Sequence, residues 1–314
     1  AENRKKKAEG TKTWVYHARN VRDFAFATSR AFVWDAMPSK GEGFSTMCMS
    51  YFPAEAMPLW DRYATHATAQ TIEVYSRHTV PYPWPVAISV NSPVGGMEYP
   101  MIHFTGARPE KDGTYSEGKK YGMISVVIHE VGHNFFPMIV NSDEREWIWM
   151  DEGFNTFMQY ITEHEWSQKY PARRGSPRTI GNYMKSAYQV PIMTSADSLI
   201  QSSANAYSKT AAGLIILRET ILGRELFDFA FKEYARRWKF KRPMPADFFR
   251  TMEDASGVDL DWFFRGWFYT IDHTDIAITG LTHYTIDSQN PAESKARAKE
   301  RASKSNDTIS KRRS

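Results

Sequence analysis

The pentapeptide HEVGH at residues 129–133 decides how the rest of the chain is interpreted. Apolar residues without proline precede it over 123–128, which predicts a buried helix leading into the motif. Residues i and i+4 lie one above the other on a helix, so His129 and His133 present their imidazoles on the same face. Neutral imidazole suits zinc, and Glu130 stands beside the position that a catalytic zinc keeps open for water. We therefore predict a zinc site in which this glutamate takes a proton from that water.

A catalytic zinc needs a third protein ligand, and Glu152 is the candidate. Pro137 ends the first helix because proline lacks a donor and clashes with the preceding turn. A second helix is predicted over 144–166, and it carries Glu152, which is separated from His133 by eighteen residues. Two antiparallel helices with a short connection can place this carboxylate opposite both histidines. An isolated HExxH pattern also arises by chance on solvated helices, but a glutamate at this spacing favours the metal interpretation.

Composition and charge limit the classes of protein to which this chain can belong. The 314 residues are 42% hydrophobic, which is enough for one large domain or two lobes. The net charge of +4 divides into +5 for residues 291–314, +3 for residues 1–13 and −4 for the body between them. The basic tails carry no aromatic residues and no recognisable module, so we expect solvated termini and no nucleic-acid partner. No apolar run is long enough for a membrane span, and the single Cys48 excludes an internal disulfide.

The order of predicted elements favours an α+β fold, with strands first and helices later. Alternating or apolar runs predict strands at 13–17, 24–27, 44–51 and 86–90. A helix is predicted over 54–78, between the last two strands. The later part of the chain is almost wholly helical, with helices predicted over 121–136, 144–166, 204–222, 224–238, 245–256 and 259–269.

A second motif, PVGGMEYP at residues 93–100, directly follows the strand at 86–90. Paired glycines let a backbone pass close to another group, such as an extended peptide that pairs along a strand edge. Glu98 would then project at the end of the site, where its charge could hold a substrate ammonium. On this motif alone, a tight turn with an exposed glutamate is the favoured interpretation.

Taken together, the two motifs resemble the zinc aminopeptidase family that includes alanyl aminopeptidase and leukotriene hydrolase. In that family, as in this chain, Gly-x-Met-Glu lies about thirty residues before HExxH, and eighteen residues separate HExxH from a later glutamate. The segment YSKTA at residues 207–211 resembles the tyrosine motif of that family. The resemblance covers about residues 14–280. It implies a thermolysin-like domain of the gluzincin type, with a small mixed-sheet lobe over about 14–120 and a mostly helical lobe over about 121–280.

The resemblance also implies a role for each residue that matches a family motif, and one zinc ion per chain. Asn134 and Tyr99 depart from the family pattern, which affects substrate range more than chemistry. The implied metal ligands are His129, His133 and Glu152, the general base is Glu130, the anchor of the free α-amine is Glu98, the peptide lies along Gly95, Gly96 and Met97, and Tyr207 stabilises the oxyanion.

The resemblance further implies other domains, because family members carry a β-sheet domain ahead of the catalytic one. Residues 1–13 are then a polar leader at the end of that missing domain, and residues 281–314 are a linker or a disordered tail. The expected function is removal of N-terminal residues from peptides with a free N-terminus. Two alternatives stay open: a zinc endopeptidase of the same class, and a catalytically silent domain that binds proteins.

Overall fold

A computed structural model describes residues 10–11, 13–273, 276–284 and 289–304. The chain divides into a large compact unit that ends at Asp272 and a small unit that begins at His273. All the predicted site residues lie in the large unit. Within the described ranges, no helix is long and apolar enough to cross a membrane.

A five-stranded mixed sheet occupies the first part of the large unit, in the order β1-β2-β3-β5-β4. Strand β1 (Phe32–Gly41) pairs antiparallel with β2 (Phe44–Pro53), which is parallel to β3 (Val86–Asn91). Strand β3 is parallel to β5 (Ile102–Thr105), and β5 pairs antiparallel with β4 (Gly96–Tyr99). Strand β4 is therefore an edge strand, and no strand in the described residues pairs with its outer side.

The strand predictions have mixed outcomes. The predicted strands at 44–51 and 86–90 lie within β2 and β3, so they are confirmed. The predicted strands at 13–17 and 24–27 are wrong: both segments are described without strand pairing, and their aromatic side chains are exposed. The alternation there has no neighbouring strand to pair with. The sequence analysis does not predict β1, β4 or β5, and the last two have only four residues each, which are too few for a clear alternation.

Helix α1 (Trp60–His78) is joined to the sheet by buried hydroxyl contacts. Ser50 Oγ lies 2.6 Å from Thr65 Oγ1, and Thr68 Oγ1 lies 2.7 Å from Ser89 Oγ. These pairs satisfy hydroxyls that would otherwise be buried at a cost. The predicted helix over 54–78 is correct from its seventh residue, because residues 54–56 form a separate 3₁₀ turn before the proline at position 58.

Helix α2 (Glu117–Gly132) is the predicted buried helix that carries the metal motif. It begins after Ser116, whose Oγ accepts a hydrogen bond from the Lys119 amide at 3.1 Å, a typical N-cap. The helix ends at Gly132 rather than at residue 136. Wide π-type turns follow over Asn134–Ile139, interrupted by the extended backbone of the residue before Pro137.

The later helices agree closely with the predictions. The main exception is the helix predicted over 144–166, which starts later, because residues 144–146 form a turn. The observed segments are Trp149–Gly153 (π-type) running into α3 (Phe154–Trp166), a short α4 (Gly181–Met184), Ser203–Lys209 (π-type) running into α5 (Thr210–Ile216) and Leu217–Ile221 (π-type), α6 (Arg224–Trp238), α7 (Pro245–Ser256), and α8 (Asp261–Phe264) running into Arg265–Tyr269 (π-type).

The small unit contains helix α9 (Pro291–Lys304), in a range where the sequence predicts no packed element. Alanine, lysine, glutamate and arginine dominate this segment, and all have high helix propensity. Asn290 caps it by accepting a hydrogen bond from the Ala292 amide at 3.1 Å. Its side chains over 291–303 are exposed. The linker role of 281–314 and the lobe boundaries stay predictions, and the leader falls mostly outside the described residues.

Candidate metal centre

The three predicted metal ligands converge on one point. His129 Nε2 lies 3.1 Å from His133 Nε2 and 3.1 Å from Glu152 Oε2, and His133 Nε2 lies 3.4 Å from the same carboxylate oxygen. Ligand atoms placed tetrahedrally about zinc at about 2.0–2.1 Å are separated by about 3.3 Å. The observed separations therefore match those that one shared zinc ion requires, and two imidazoles with one carboxylate form a donor set that suits this metal.

Buried aromatic residues fix the segment that carries Glu152. Trp149 and Phe154, on either side of it, are fully buried. The ring centroid of Trp149 lies 4.8 Å from that of Phe268, and the ring of Phe154 lies 4.7 Å from that of Phe248. Close packing of this kind holds a short segment in one position. The carboxylate is thereby held opposite helix α2.

The outer nitrogen of each histidine has its own hydrogen-bonding partner. His129 Nδ1 lies 2.9 Å from Gln159 Oε1, and His133 Nδ1 lies 2.8 Å from Asp151 Oδ1 and 2.9 Å from the Phe136 carbonyl. Such partners leave each Nε2 free for a metal and orient the ring. The sequence analysis does not name Gln159 or Asp151. Gln159 follows Glu152 by seven residues, a spacing that returns to the same helix face, and Asp151 directly precedes Glu152.

Glu130 is buried next to the ligands and has an unpaired oxygen. Its Oε2 has no hydrogen-bond partner among the described residues, which marks a place for a group from outside the protein. Burial raises the pKa of Glu130 to about 8, and the neighbouring carboxylates, including Glu98, add to the rise while His133 opposes it. A Cβ atom at Gly96 would lie only 2.3 Å from its Oε1, so glycine is needed at that point of strand β4.

Tyr207 contacts two of the metal ligands. Its hydroxyl donates to Glu152 Oε1 at 2.5 Å, and its ring stacks on that of His129 with centroids 5.7 Å apart. Burial, followed by the charge of Glu152, raises the pKa of Tyr207 above its ordinary value, so the phenol keeps its proton. Gly153 allows this approach, because a Cβ there would lie 2.4 Å from Thr210 Cγ2.

The second motif forms strand β4 at the edge of the sheet rather than a turn. The carboxylate of Glu98 lies on the His133 side of the site, with its ligand atom within 4.8 Å of those of His133 and Asp151. Gly95 accepts a backbone hydrogen bond from Gly106 at 2.9 Å, and Met97 is 37% exposed. The structure thus places Glu98 near His133 and Gly96 against Glu130, and of the four predicted peptide-binding residues Gly96 lines the cavity that His129 and Glu130 also line.

The fold and this site define the class: zinc metallopeptidases with two histidines and one distant glutamate as ligands. Comparison with known proteins identifies the family within that class. Residues 63–267 match the model of the Peptidase family M1 domain, so the chain belongs to that family. The family resemblance stated from the motifs is confirmed, and the family implies zinc as the metal.

Curated relatives include an Aminopeptidase M1 of Arabidopsis thaliana, which is 23% identical over 219 residues covering 66% of this chain and 25% of the relative. Aminopeptidase N of Lactococcus lactis subsp. lactis is 24% identical over 225 residues covering 65% of this chain and 26% of the relative. The chain therefore spans about a quarter of the length of these relatives.

Solved structures show the same fold. A crystal structure of an M1 zinc metallopeptidase from Deinococcus radiodurans has a TM-score of 0.59 and 16% identity, covering 80% of this chain and 55% of that one. A mutant M1 zinc metallopeptidase from that bacterium, bound to a Tyr-Ser-Ala substrate, has a TM-score of 0.60 and 15% identity, covering 78% and 53%. These matches confirm the predicted α+β, thermolysin-like fold.

Proposed function

We propose that the chain is the catalytic domain of a zinc-dependent aminopeptidase, which removes N-terminal residues from peptides and holds one zinc ion per chain. The convergence of His129, His133 and Glu152, at separations of 3.1–3.4 Å, carries this proposal. When bound, zinc activates a water molecule and polarises the scissile carbonyl. Because the chain spans about a quarter of its curated relatives, we include other domains of a longer chain among its partners.

Glu130 is the proposed general base. Its unpaired, buried Oε2 can accept a proton from the attacking water and later donate it to the leaving nitrogen. Burial and the neighbouring carboxylates raise the pKa of Glu130, so this group holds a proton more tightly than a free glutamate does. Gly96 holds the strand close to this carboxylate, so a peptide that lies along β4 has its reacting bond next to the base.

Tyr207 is the proposed stabiliser of the negative charge that develops on the carbonyl oxygen. Its hydroxyl keeps its proton over the whole neutral range, so it can donate a hydrogen bond to that oxygen. Its single O–H donates to Glu152 Oε1 in the structure, so it would turn from this carboxylate to the nearby carbonyl oxygen when a peptide binds. Donors of this kind typically lower the barrier by a few kcal/mol, about 3 kcal/mol for one oxyanion donor.

Glu98 is the proposed anchor of the substrate amine. Strand β4 offers Gly96 and Met97 at a free sheet edge for an extended peptide, with Gly95 directly before the strand, and Glu98 stands further along it near His133. A carboxylate that binds the α-ammonium fixes the first peptide bond over the metal site. This arrangement favours an exopeptidase over an endopeptidase, because only a free N-terminus satisfies the charge.

The test combines zinc content with hydrolysis of leucine 4-nitroanilide and its N-acetylated form. The zinc-loaded chain should cleave only the free amine, and Glu130→Gln should keep zinc and lose turnover. Glu98→Gln should keep zinc and lower kcat/KM by about tenfold to a hundredfold, as expected for one charged hydrogen bond. Preference for the acetylated substrate refutes the aminopeptidase assignment, and a chain that retains no zinc refutes the metal site.

A further inference from the structure

A cavity of about 420 Å³ adjoins the metal ligands and runs along helix α2. Its wall includes Gly118, Gly122 and Ser125 of that helix as well as His129 and Glu130. These positions recur at helical spacing, so one face of the helix lines the cavity. Glycine and serine leave this face nearly bare, and nothing lies within 4 Å of a Cβ added at Gly122. The space next to the base is therefore wide enough for a side chain of a bound peptide.

The cavity extends from the proposed base without reaching the proposed amine anchor. Gly96 lines it, whereas Glu98, two residues further along strand β4, does not. If Glu98 holds the α-amine, the residue before the cleaved bond lies towards Glu98. The residue after the cleaved bond then enters the cavity. This step rests on the proposed function.

Arg174 lines the same cavity and is held in place on several sides. Its Nη2 donates to Ser203 Oγ at 2.9 Å, and its guanidinium carbon lies 4.5 Å from the centre of the Tyr207 ring. The next residue, Gly175, has φ +90° and packs so closely that a Cβ would lie 2.6 Å from the ring of Tyr160. This packing fixes the backbone of the loop next to Arg174, and the Arg174 side chain is half-buried.

The guanidinium of Arg174 has unused donors. It carries five N–H groups in a fork that matches a carboxylate. One of them bonds to Ser203, and no carboxylate of the described residues lies within 4.0 Å of it. Arg173, which is exposed, adds a second cation to the same wall.

Apart from Glu130 at the metal end, one carboxylate lines this cavity, and it is already paired. Glu163 Oε1 accepts from Ser125 Oγ and from Gln159 Nε2, both at 2.7 Å, and the residue is 2% exposed. Its carboxylate therefore belongs to an internal network that also orients His129 through Gln159. The charge that remains available to a ligand in this part of the cavity is positive.

We propose that Arg174, assisted by Arg173, binds a carboxylate on the residue that follows the cleaved bond. The substrate class is peptides with an anionic leaving residue. That carboxylate is either the C-terminal group of a dipeptide or the side chain of an aspartate or glutamate. Both present the same two oxygens to the guanidinium.

The experiment measures binding in the zinc-loaded Glu130→Gln chain, which holds peptides without cleaving them. Calorimetry compares Leu-Ala with its C-terminal amide, and Leu-Asp-Ala amide with Leu-Asn-Ala amide. The first pair tests the C-terminal carboxylate and the second tests the side chain. We expect the acid of at least one pair to bind about tenfold tighter, the ratio for one charge-assisted hydrogen bond at a half-exposed site. Adding Arg174→Gln should reduce that ratio to below about twofold.

Arg178→Gln is the matched control, because Arg178 is an exposed arginine of the same loop that does not line the cavity. It should leave the acid preference unchanged. A preference that survives Arg174→Gln overturns the assignment to this residue. Equal binding of acid and neutral peptides in both pairs refutes the inference and leaves the proposed function standing. A chain that binds none of the four peptides refutes the proposed function, and the inference with it.

Discussion

Replacing Gly96 with alanine tests the position of Glu130, the proposed general base, separately from the rest of the site. The added Cβ would lie 2.3 Å from Glu130 Oε1 and 3.3 Å from Val126 Cγ1. Non-bonded heavy atoms rest at about 3.5 Å, so the carboxylate must move by about 1 Å. A displacement of about 1 Å can cost about a hundredfold in rate, which corresponds to about 2.7 kcal/mol in the barrier. The clash is with the end of a flexible side chain, so the fold itself should be little affected.

The assay is kcat/KM for leucine 4-nitroanilide, measured together with zinc content and Tm. We expect Gly96→Ala to lose about a hundredfold in kcat/KM while zinc content stays the same and Tm changes by only about 2 °C. Gly95→Ala is the comparison, because nothing lies within 4 Å of a Cβ at Gly95, and it should retain far more activity. Activity of Gly96→Ala within twofold of the unmodified chain would refute the placement of Glu130 against β4.

Two substitutions and one labelling experiment test other parts of the site and the core. Gly153→Ala should lower the free energy of unfolding by about 1–3 kcal/mol in urea and weaken zinc binding, because its Cβ would lie 2.4 Å from Thr210 Cγ2; unchanged stability would count against this packing. Gln159→Leu should weaken zinc affinity by about 10–100-fold in a chelator competition, because it removes the partner of His129 Nδ1. Cys48 is fully buried and its pKa is raised by burial to about 12, so a thiol reagent should modify it only in urea, and prompt labelling of the native chain would contradict its burial.

The sequence alone predicts the metal site because helical periodicity fixes two of its ligands. His129 and His133 must share a face once α2 is a helix. Glu152 is harder, since its position depends on a connection that includes a turn at 144–146 and a late helix start. Only the family spacing of eighteen residues makes it a candidate, and the structure brings its carboxylate to both histidines.

Other parts of the site depend on contacts that no local pattern contains. Strand β4 is four residues long and begins with a glycine, so its sequence shows no clear alternation of apolar and polar residues. Its pairing with β5 makes it a strand. Asp151 and Gln159 are ordinary polar residues in sequence, and they matter because the folded chain places them against the outer nitrogens of the histidines. The role of Gly153 comes from the close passage of Thr210, which lies far along the chain.

Both Glu152 and Tyr207 lie within wide π-type turns, over Trp149–Gly153 and Ser203–Lys209. Such a turn contains one residue more than the regular helix that could replace it. Losing that residue would rotate everything on one side by about 100°, the angle between successive helical positions. Single-residue deletions here should therefore turn Glu152 or Tyr207 away from the site and, around Glu152, also disturb the packing of the buried Trp149 and Phe154.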